Sequence, residues 1–133
     1  MMVTLPLRTV SEANQREHWA KRAKRAKGQR ATTCMALRAN LALAKQHWQL
    51  KNGGVAVVLT RIGPGTLDSD NLRGACKAVR DGVADALGIN DADHRCRWIY
   101  AQKRGRAREY AVEIHIGQFG AVDELDEWKD VVP

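Results

Sequence analysis

The sequence predicts an α+β fold: one domain in which helices pack against a small mixed β-sheet, with the element order β-α-β-α-β-β. Its length of 133 residues suits a single hydrophobic core. A hydrophobic fraction of 44% argues against wholesale disorder. Short runs with strand patterns alternate with longer segments of helical periodicity. We expect this domain to span residues 1–120 and the acidic segment 121–133 to form a C-terminal tail.

Four short segments have the patterns of β-strands. The run "MVTLPL" at 2–7 alternates weakly, and its proline predicts a strand at a sheet edge. The run "VAVVLTRI" at 55–62 is β-branched and apolar, which is typical of a buried strand. The runs "RCRWIYAQK" at 95–103 and "EYAVEIHI" at 109–116 alternate, and "RGRA" between them predicts a hairpin loop. We therefore expect these last two strands to pair antiparallel.

The first helical segment covers residues 11 to 50, and Gly28 is a candidate break within it. Its second half has apolar residues at alternating steps of three and four, which predicts a face packed on the core. Those residues are Cys34, Leu37, Leu41, Ala44 and Trp48.

A second helix is predicted between residues 69 and 87. Its start is expected at Asp70 or Ser69 as the N-cap, and Gly88 is expected just after its end. Two stripes follow its axis at helical spacing, an apolar one facing the sheet and a polar one on another side. The apolar stripe comprises Leu72, Cys76, Val79, Val83 and Leu87, and the polar stripe Asp70, Gly74, Lys77, Asp81 and Asp85.

The charge balance favours a polyanionic partner. The chain carries a net charge of +7, and seven of its basic residues crowd between Arg16 and Arg30. Apart from Trp19, the apolar residues of that stretch are alanines, too small for a membrane-interface helix, and no run is long enough to cross a bilayer. We therefore expect nucleic acid and no membrane, although a merely solvated helix face would have the same composition.

The three cysteines predict neither a disulfide framework nor a zinc site. Their number is odd, and no C-x-x-C motif occurs. We expect reduced, packed thiols and a cytoplasmic protein.

Aspartates cluster between residues 68 and 93 in spite of the positive net charge. Asp68 and Asp70 form a D-x-D pair, and carboxylate oxygens are the ligands that Mg²⁺ and Mn²⁺ prefer. If the strand after Asp91 lies beside the strand that ends at Ile62, Asp91 can return to this pair, and three carboxylates would hold one or two metal ions. The alternative is structural, with the pair capping a helix and Asp91 shaping a turn.

These motifs also resemble a known family. "DSDN" at 68–71, a lysine and an aspartate along the next helix, and "LGINDAD" at 87–93 before a basic strand resemble the RusA-type Holliday-junction resolvases, especially their phage and prophage branch. The stretch "NQREHWAKRAKRAKGQR" at 14–30 adds to a resemblance that covers residues 3–117. It implies a RusA-like fold, a homodimer, Mg²⁺ dependence with Mn²⁺ as a substitute, and paired nicks at four-way DNA junctions during recombination and repair. It also implies a bacterial or phage-infected cytoplasm.

By the same resemblance, Asp68, Asp70 and Asp91 are the metal-binding catalytic aspartates, and Lys77 is the catalytic lysine. Basic side chains would contact the DNA backbone rather than read bases. Those expected to do so are Arg16, Lys21, Arg22, Lys24, Arg25, Lys27, Arg30, Arg95, Arg97, Lys103 and Arg104, with Arg106 and Arg108 beside them.

Three alternatives stay open. A non-catalytic basic protein that binds nucleic acid would have the same charge. A nuclease of the same chemistry could act on other branched DNA. A D-x-D nucleotide-sugar transferase is disfavoured because the chain is short for that class.

Overall fold

A computed structural model describes residues 1–11, 18–44 and 54–118 of the chain, without the side chains of 41–44 and 118. The described part is a four-stranded mixed sheet with three helices, which confirms the α+β class. The predicted tail 121–133, Arg16 and the side chains of Leu41, Ala44 and Trp48 lie outside the described residues. The elements are β1 (Met2–Leu5), α1 (Trp19–Ala44), β2 (Val55–Gly63), α2 (Ser69–Ala75), α3 (Lys77–Leu87), β3 (Cys96–Arg104) and β4 (Ala111–Gln118).

The sheet has the strand order β1-β4-β2-β3. Strand β2 pairs antiparallel with β4 and parallel with β3, where Val57 lies opposite Trp98. The predicted hairpin between β3 and β4 is therefore wrong, because β2 lies between them. The connection passes over the end of β2, where the Gly105 amide donates to the Gly63 carbonyl at 2.7 Å. Alternation within each strand could not reveal this, because β2 is buried along nearly all its length and accepts a partner on both edges.

The segment between β2 and β3 forms two helices rather than one. Cys76 departs from helical geometry, with φ of −94° and ψ of 1°, and separates α2 from α3. The apolar stripe continues across the break, since Leu72, Cys76 and Val79 are all fully buried, so periodicity could not detect it. The N-cap is also corrected from Asp70 or Ser69 to Asp68. Gly88 follows α3 with φ of 70°, a left-handed conformation that glycine adopts without strain, as predicted.

Helix α1 runs through Gly28 without a break, contrary to the expectation. A side chain at that position would meet no atom within 4 Å, and the alanines and lysines around it favour helix. The helix packs against α3 at Gly82, where an added Cβ would lie 2.5 Å from the Arg30 carbonyl oxygen. This close crossing fixes the basic helix α1 alongside α3.

One face of the sheet carries the main core. Leu37 of α1 and the apolar stripe of α2 and α3 pack there against alternate residues of the strands, among them Val57, Tyr100 and Ile114. Within the described ranges, no helix combines the length and the apolar character needed to cross a membrane.

Candidate functional site

The start of α2 presents the D-x-D pair. The Asp68 carboxylate accepts hydrogen bonds from the Asn71 amide at 2.9 Å and from Asn71 Nδ2 at 3.0 Å, and so caps the helix. The Asn71 side chain in turn accepts from the Ser11 hydroxyl at 2.8 Å. Asp70 belongs to the first helical turn, and its side chain is 96% exposed, with the Arg73 guanidinium 3.9 Å away. Asp68 is thus oriented by the protein, whereas Asp70 is open to an external ligand.

Two side chains hold the loop that leads to Asp68. The Gln102 side chain of β3 accepts from the Leu67 amide at 2.9 Å and donates to the Leu67 carbonyl at 2.7 Å. It thus bonds both backbone groups of Leu67, as a neighbouring strand would. Arg61 of β2 is buried and donates to the carbonyls of Gly65 at 2.9 Å and Thr9 at 3.2 Å. Neither residue is predicted from the sequence, because their partners are brought near only by the sheet.

A second group of charged side chains comprises three residues of the first half of α3 and one of the loop that follows this helix, and we call it the Lys77 cluster: Lys77, Arg80, Asp81 and Asp91. The Lys77 ammonium lies 2.8 Å from a carboxylate oxygen of Asp81 and 2.8 Å from one of Asp91. These hydrogen bonds raise the pKa of Lys77, with Asp81 the larger contributor. The hydrogen bond from Lys77 likewise lowers the pKa of Asp91. The polar stripe predicted along the helix is confirmed for Lys77 and Asp81.

Arg80 holds the Asp91 loop and is absent from the predicted site. Its guanidinium packs on the Trp98 ring, 4.8 Å from the ring centroid, and donates to the Tyr100 hydroxyl at 2.9 Å. It also donates to the Asp91 carbonyl at 2.8 Å, and the Trp98 indole donates to that carbonyl at 3.0 Å. The carboxylate of Asp91 lies 3.3 Å from Arg80 Nε. The chain offers only a weak local signal for this role, namely that Arg80 lies one turn after Lys77.

The three predicted metal ligands are not gathered in this structure. Among the described residues, no three carboxylate, imidazole or thiol side chains form a group that could hold one metal ion. Strands β2 and β3 are neighbours, as the prediction required. Because they are parallel, however, the end of β2 before Asp68 and the start of β3 after Asp91 lie at opposite ends of the sheet. The donor chemistry suits Mg²⁺ and Asp70 is open to it, but a shared ion requires Asp91 both to leave Lys77 and to move towards the start of α2.

The predicted DNA-binding residues fall on two sides of the molecule. On α1, Arg25 is half-buried, and the others named there are exposed, with Arg30 in a two-point ion pair with Asp85 at 2.7 and 2.9 Å. On β3, Arg97 and Lys103 point away from the helices, because Trp98 and Tyr100 point towards them. Several are engaged already: Arg95 with Asp93, Lys103 with Glu113 and Arg104 with the Pro64 carbonyl. The basic residues that the structure describes therefore do not form one continuous DNA-binding surface.

Comparisons with protein-family models, with curated proteins and with solved structures find no match to this chain.

Proposed function

We propose that this protein is a Mg²⁺-dependent endodeoxyribonuclease that cuts branched DNA, with four-way junctions as its principal substrate. The observation that carries the proposal is the exposed Asp70 carboxylate beside the oriented Asp68, with the Lys77 cluster further along the same helical segment. The motif resemblance to RusA-type resolvases and the net charge of +7 support the same reading. In this proposal the protein works as a homodimer in a bacterial or phage-infected cytoplasm.

The residues of the chain have separate tasks in this reaction. Asp68 and Asp70 would hold Mg²⁺, which would supply a nucleophilic water and charge relief on the phosphate, and Asp91 would join them as a ligand only after its loop had moved towards the start of α2. The Lys77 ammonium stabilises negative charge that develops on the phosphoryl oxygens. Arg80 keeps the Asp91 loop against Trp98 and Tyr100, so that this carboxylate stays within reach of Lys77. Exposed α1 lysines such as Lys24 neutralise backbone phosphates.

A two-fold dimer fits the proposed substrate. A four-way junction has near two-fold symmetry, so each subunit of a dimer can offer one site to each of two opposed strands. Paired nicks of like polarity would follow from that symmetry.

A non-catalytic nucleic-acid-binding protein is the second candidate, and one observation favours it. Every contact of Asp68 and Asp91 described above has a structural explanation, as a helix cap and as an ion pair with Lys77. In that case the aspartates shape the fold, and the basic surface alone carries the function.

One assay separates the two candidates. The protein is incubated with an immobile synthetic four-way junction or a linear duplex, in Mg²⁺ or in EDTA, and the products are resolved on a denaturing gel. We expect nicks in the junction in Mg²⁺ only. Asp70→Asn should abolish cleavage and keep junction binding, because the side chain is exposed and the amide removes only a charge. Glu109→Gln, another exposed acid, is the matched control and should cut normally.

The contrary results are equally clear. Tight binding without cleavage in Mg²⁺ or Mn²⁺ would establish the non-catalytic candidate. Cleavage of flaps or replication forks in preference to the four-way junction would keep the nuclease and change its substrate. Normal cleavage by Asp70→Asn would show that the metal site has been placed on the wrong residues.

A further inference from the structure

We propose that the groove between α1 and the α2–α3 pair binds one unpaired strand of DNA, with Trp19 stacking on a base at its open end. This inference rests on the proposed function in taking DNA as the substrate, and it adds the strand state that is recognised and the surface that recognises it.

The groove is floored by small side chains. Its volume is about 600 Å³. Ala23 and Ala26 of α1 face Ala75 and Ala78 across it, and Gly74 has open space where a side chain would be. A site of this volume takes a nucleotide-sized group, and a duplex is far too wide for it.

Charge selects the kind of ligand. Arg22, Lys27 and Arg30 line the α1 side and Lys77 lines the other, against one acid, Asp81, among the described lining residues. Lys77 is paired with Asp81 and Asp91, and Arg30 is paired with Asp85, so the charges of these two cations are offset and Lys27 is left to attract a phosphate. Lys27 has no ion-pair partner in the part of the chain that the structure describes. A single strand of DNA has negatively charged phosphates and unpaired bases with exposed flat faces. It therefore complements a groove with a cationic rim and an apolar floor.

Trp19 extends this surface by one helical turn. It lies four residues before Ala23, and Ala23, Ala26 and Arg30 follow at steps of three and four, so all four share one face of α1. Its side chain is 73% exposed, which is unusual for the largest apolar side chain. An exposed indole at the end of a cationic groove is the arrangement on which successive bases stack in proteins that bind single strands.

The groove also leads to the proposed catalytic residues. Lys77 lines it and contacts Asp91 at 2.8 Å. A strand lying in the groove would therefore bring a phosphate to the Lys77 cluster. Among four-way junctions, those with unpaired nucleotides at the branch point would then bind more tightly than fully paired ones.

Binding is measured by fluorescence anisotropy on a labelled oligothymidylate and on a duplex of the same length, in EDTA so that no cleavage occurs. Trp19→Ala should weaken binding of the single strand by at least about fivefold and that of the duplex much less. Lys27→Gln should lower the salt dependence of single-strand binding by about 0.7 in log–log slope. Arg38→Gln is the matched control, because Arg38 is an exposed cation of α1 that does not line the groove.

A groove-filling variant gives an independent test. Ala26→Leu should block the floor and weaken single-strand binding, whereas Ala39→Leu, on the far face of α1, should not. Circular dichroism checks that both variants are folded, and if Ala26→Leu is not, Trp19→Ala and Lys27→Gln decide. Unchanged single-strand binding in these variants, or an equal loss in Arg38→Gln, would overturn the assignment. Groove-dependent binding without any cleavage in Mg²⁺ would instead reject the nuclease and leave the groove in place.

Discussion

The ammonium nitrogen of Lys77 lies 2.8 Å from a carboxylate oxygen of Asp91, although the two residues are 14 positions apart in the chain. The same ammonium is held at 2.8 Å by Asp81, one turn further along α3. A divalent cation bound to the same carboxylate would be repelled by this ammonium. If Asp91 is a metal ligand, as we propose, then Lys77 competes with the metal for it.

Lys77→Met should therefore separate metal affinity from catalysis. Without the ammonium, Asp81 and Asp91 keep less compensating charge, so Mn²⁺ should bind more tightly, as measured by isothermal titration calorimetry. Cleavage of the junction should nevertheless fall by about 10²–10³-fold, because a donor to the transition state is lost. Lys103→Met is the control, since Lys103 pairs with Glu113 at 3.1 Å on another element and should leave Mn²⁺ affinity unchanged. Equal Mn²⁺ affinity in wild type and Lys77→Met would remove Asp91 from the ligand set.

Substitutions of Asp68 distinguish a helix cap from a metal ligand. Asparagine caps helices about as well as aspartate, so Asp68→Asn should unfold in urea at nearly the wild-type concentration. Asp68→Ala loses the hydrogen bond to the Asn71 amide and should cost about 1 kcal/mol. Both variants should lose cleavage, because neither retains the negative charge that a metal needs. If Asp68→Asn cleaved DNA normally while Asp68→Ala lost stability in urea, Asp68 would be a helix cap and not a metal ligand.

The crossing of α1 and α3 can be tested at Gly82. An added Cβ there would lie 2.5 Å from the Arg30 carbonyl oxygen and 2.7 Å from the Thr33 Cβ, so the helices must separate. We expect Gly82→Ala to lower the free energy of unfolding by about 1–3 kcal/mol in urea denaturation, in spite of the better helix propensity of alanine. Gly28→Ala, in the open interior of α1, is the matched control and should raise it by about 0.5–1 kcal/mol. A stabilised Gly82→Ala would show that the two helices are not held this closely in solution.

The ion pair between Arg30 and Asp85 should make stability depend on acid pH. The hydrogen bond from Arg30 lowers the pKa of Asp85 below its ordinary 3.8. The resulting stabilisation is complete above pH 3.8 and is lost as the pH falls through the lower pKa of the folded state. Asp85→Asn should therefore be less stable than wild type at neutral pH and equally stable in strong acid, by urea denaturation at both pH values. A difference that persists unchanged in acid would contradict this origin.

Local patterns were sufficient for some parts of the candidate site. Helical spacing was enough to predict that Lys77 and Asp81, an i and i+4 pair, lie side by side. Gly88 was predicted to follow the helix because glycine adopts the left-handed conformation found there without strain. Arg80 was missed because its partners, Trp98 and Tyr100, are 18 and 20 positions away. The cap was predicted one or two residues too late because Asp68, Ser69 and Asp70 are all good N-cap residues, and only the backbone geometry selects one.

The sequence by itself determined the α+β class, the buried strand β2 to within one residue, the buried stripe of α2 and α3, and the positive charge of α1. These depend on the periodicity and type of neighbouring residues, which the chain carries locally. The tertiary structure alone decided that β2 separates β3 from β4, that Asp91 meets Lys77, and that α1 forms a groove with α2 and α3. Such contacts join residues far apart in the chain. They arise from the pairing of β2 along both of its edges and from the packing of the helices on one face of the sheet, and no local preference of the residues predicts them.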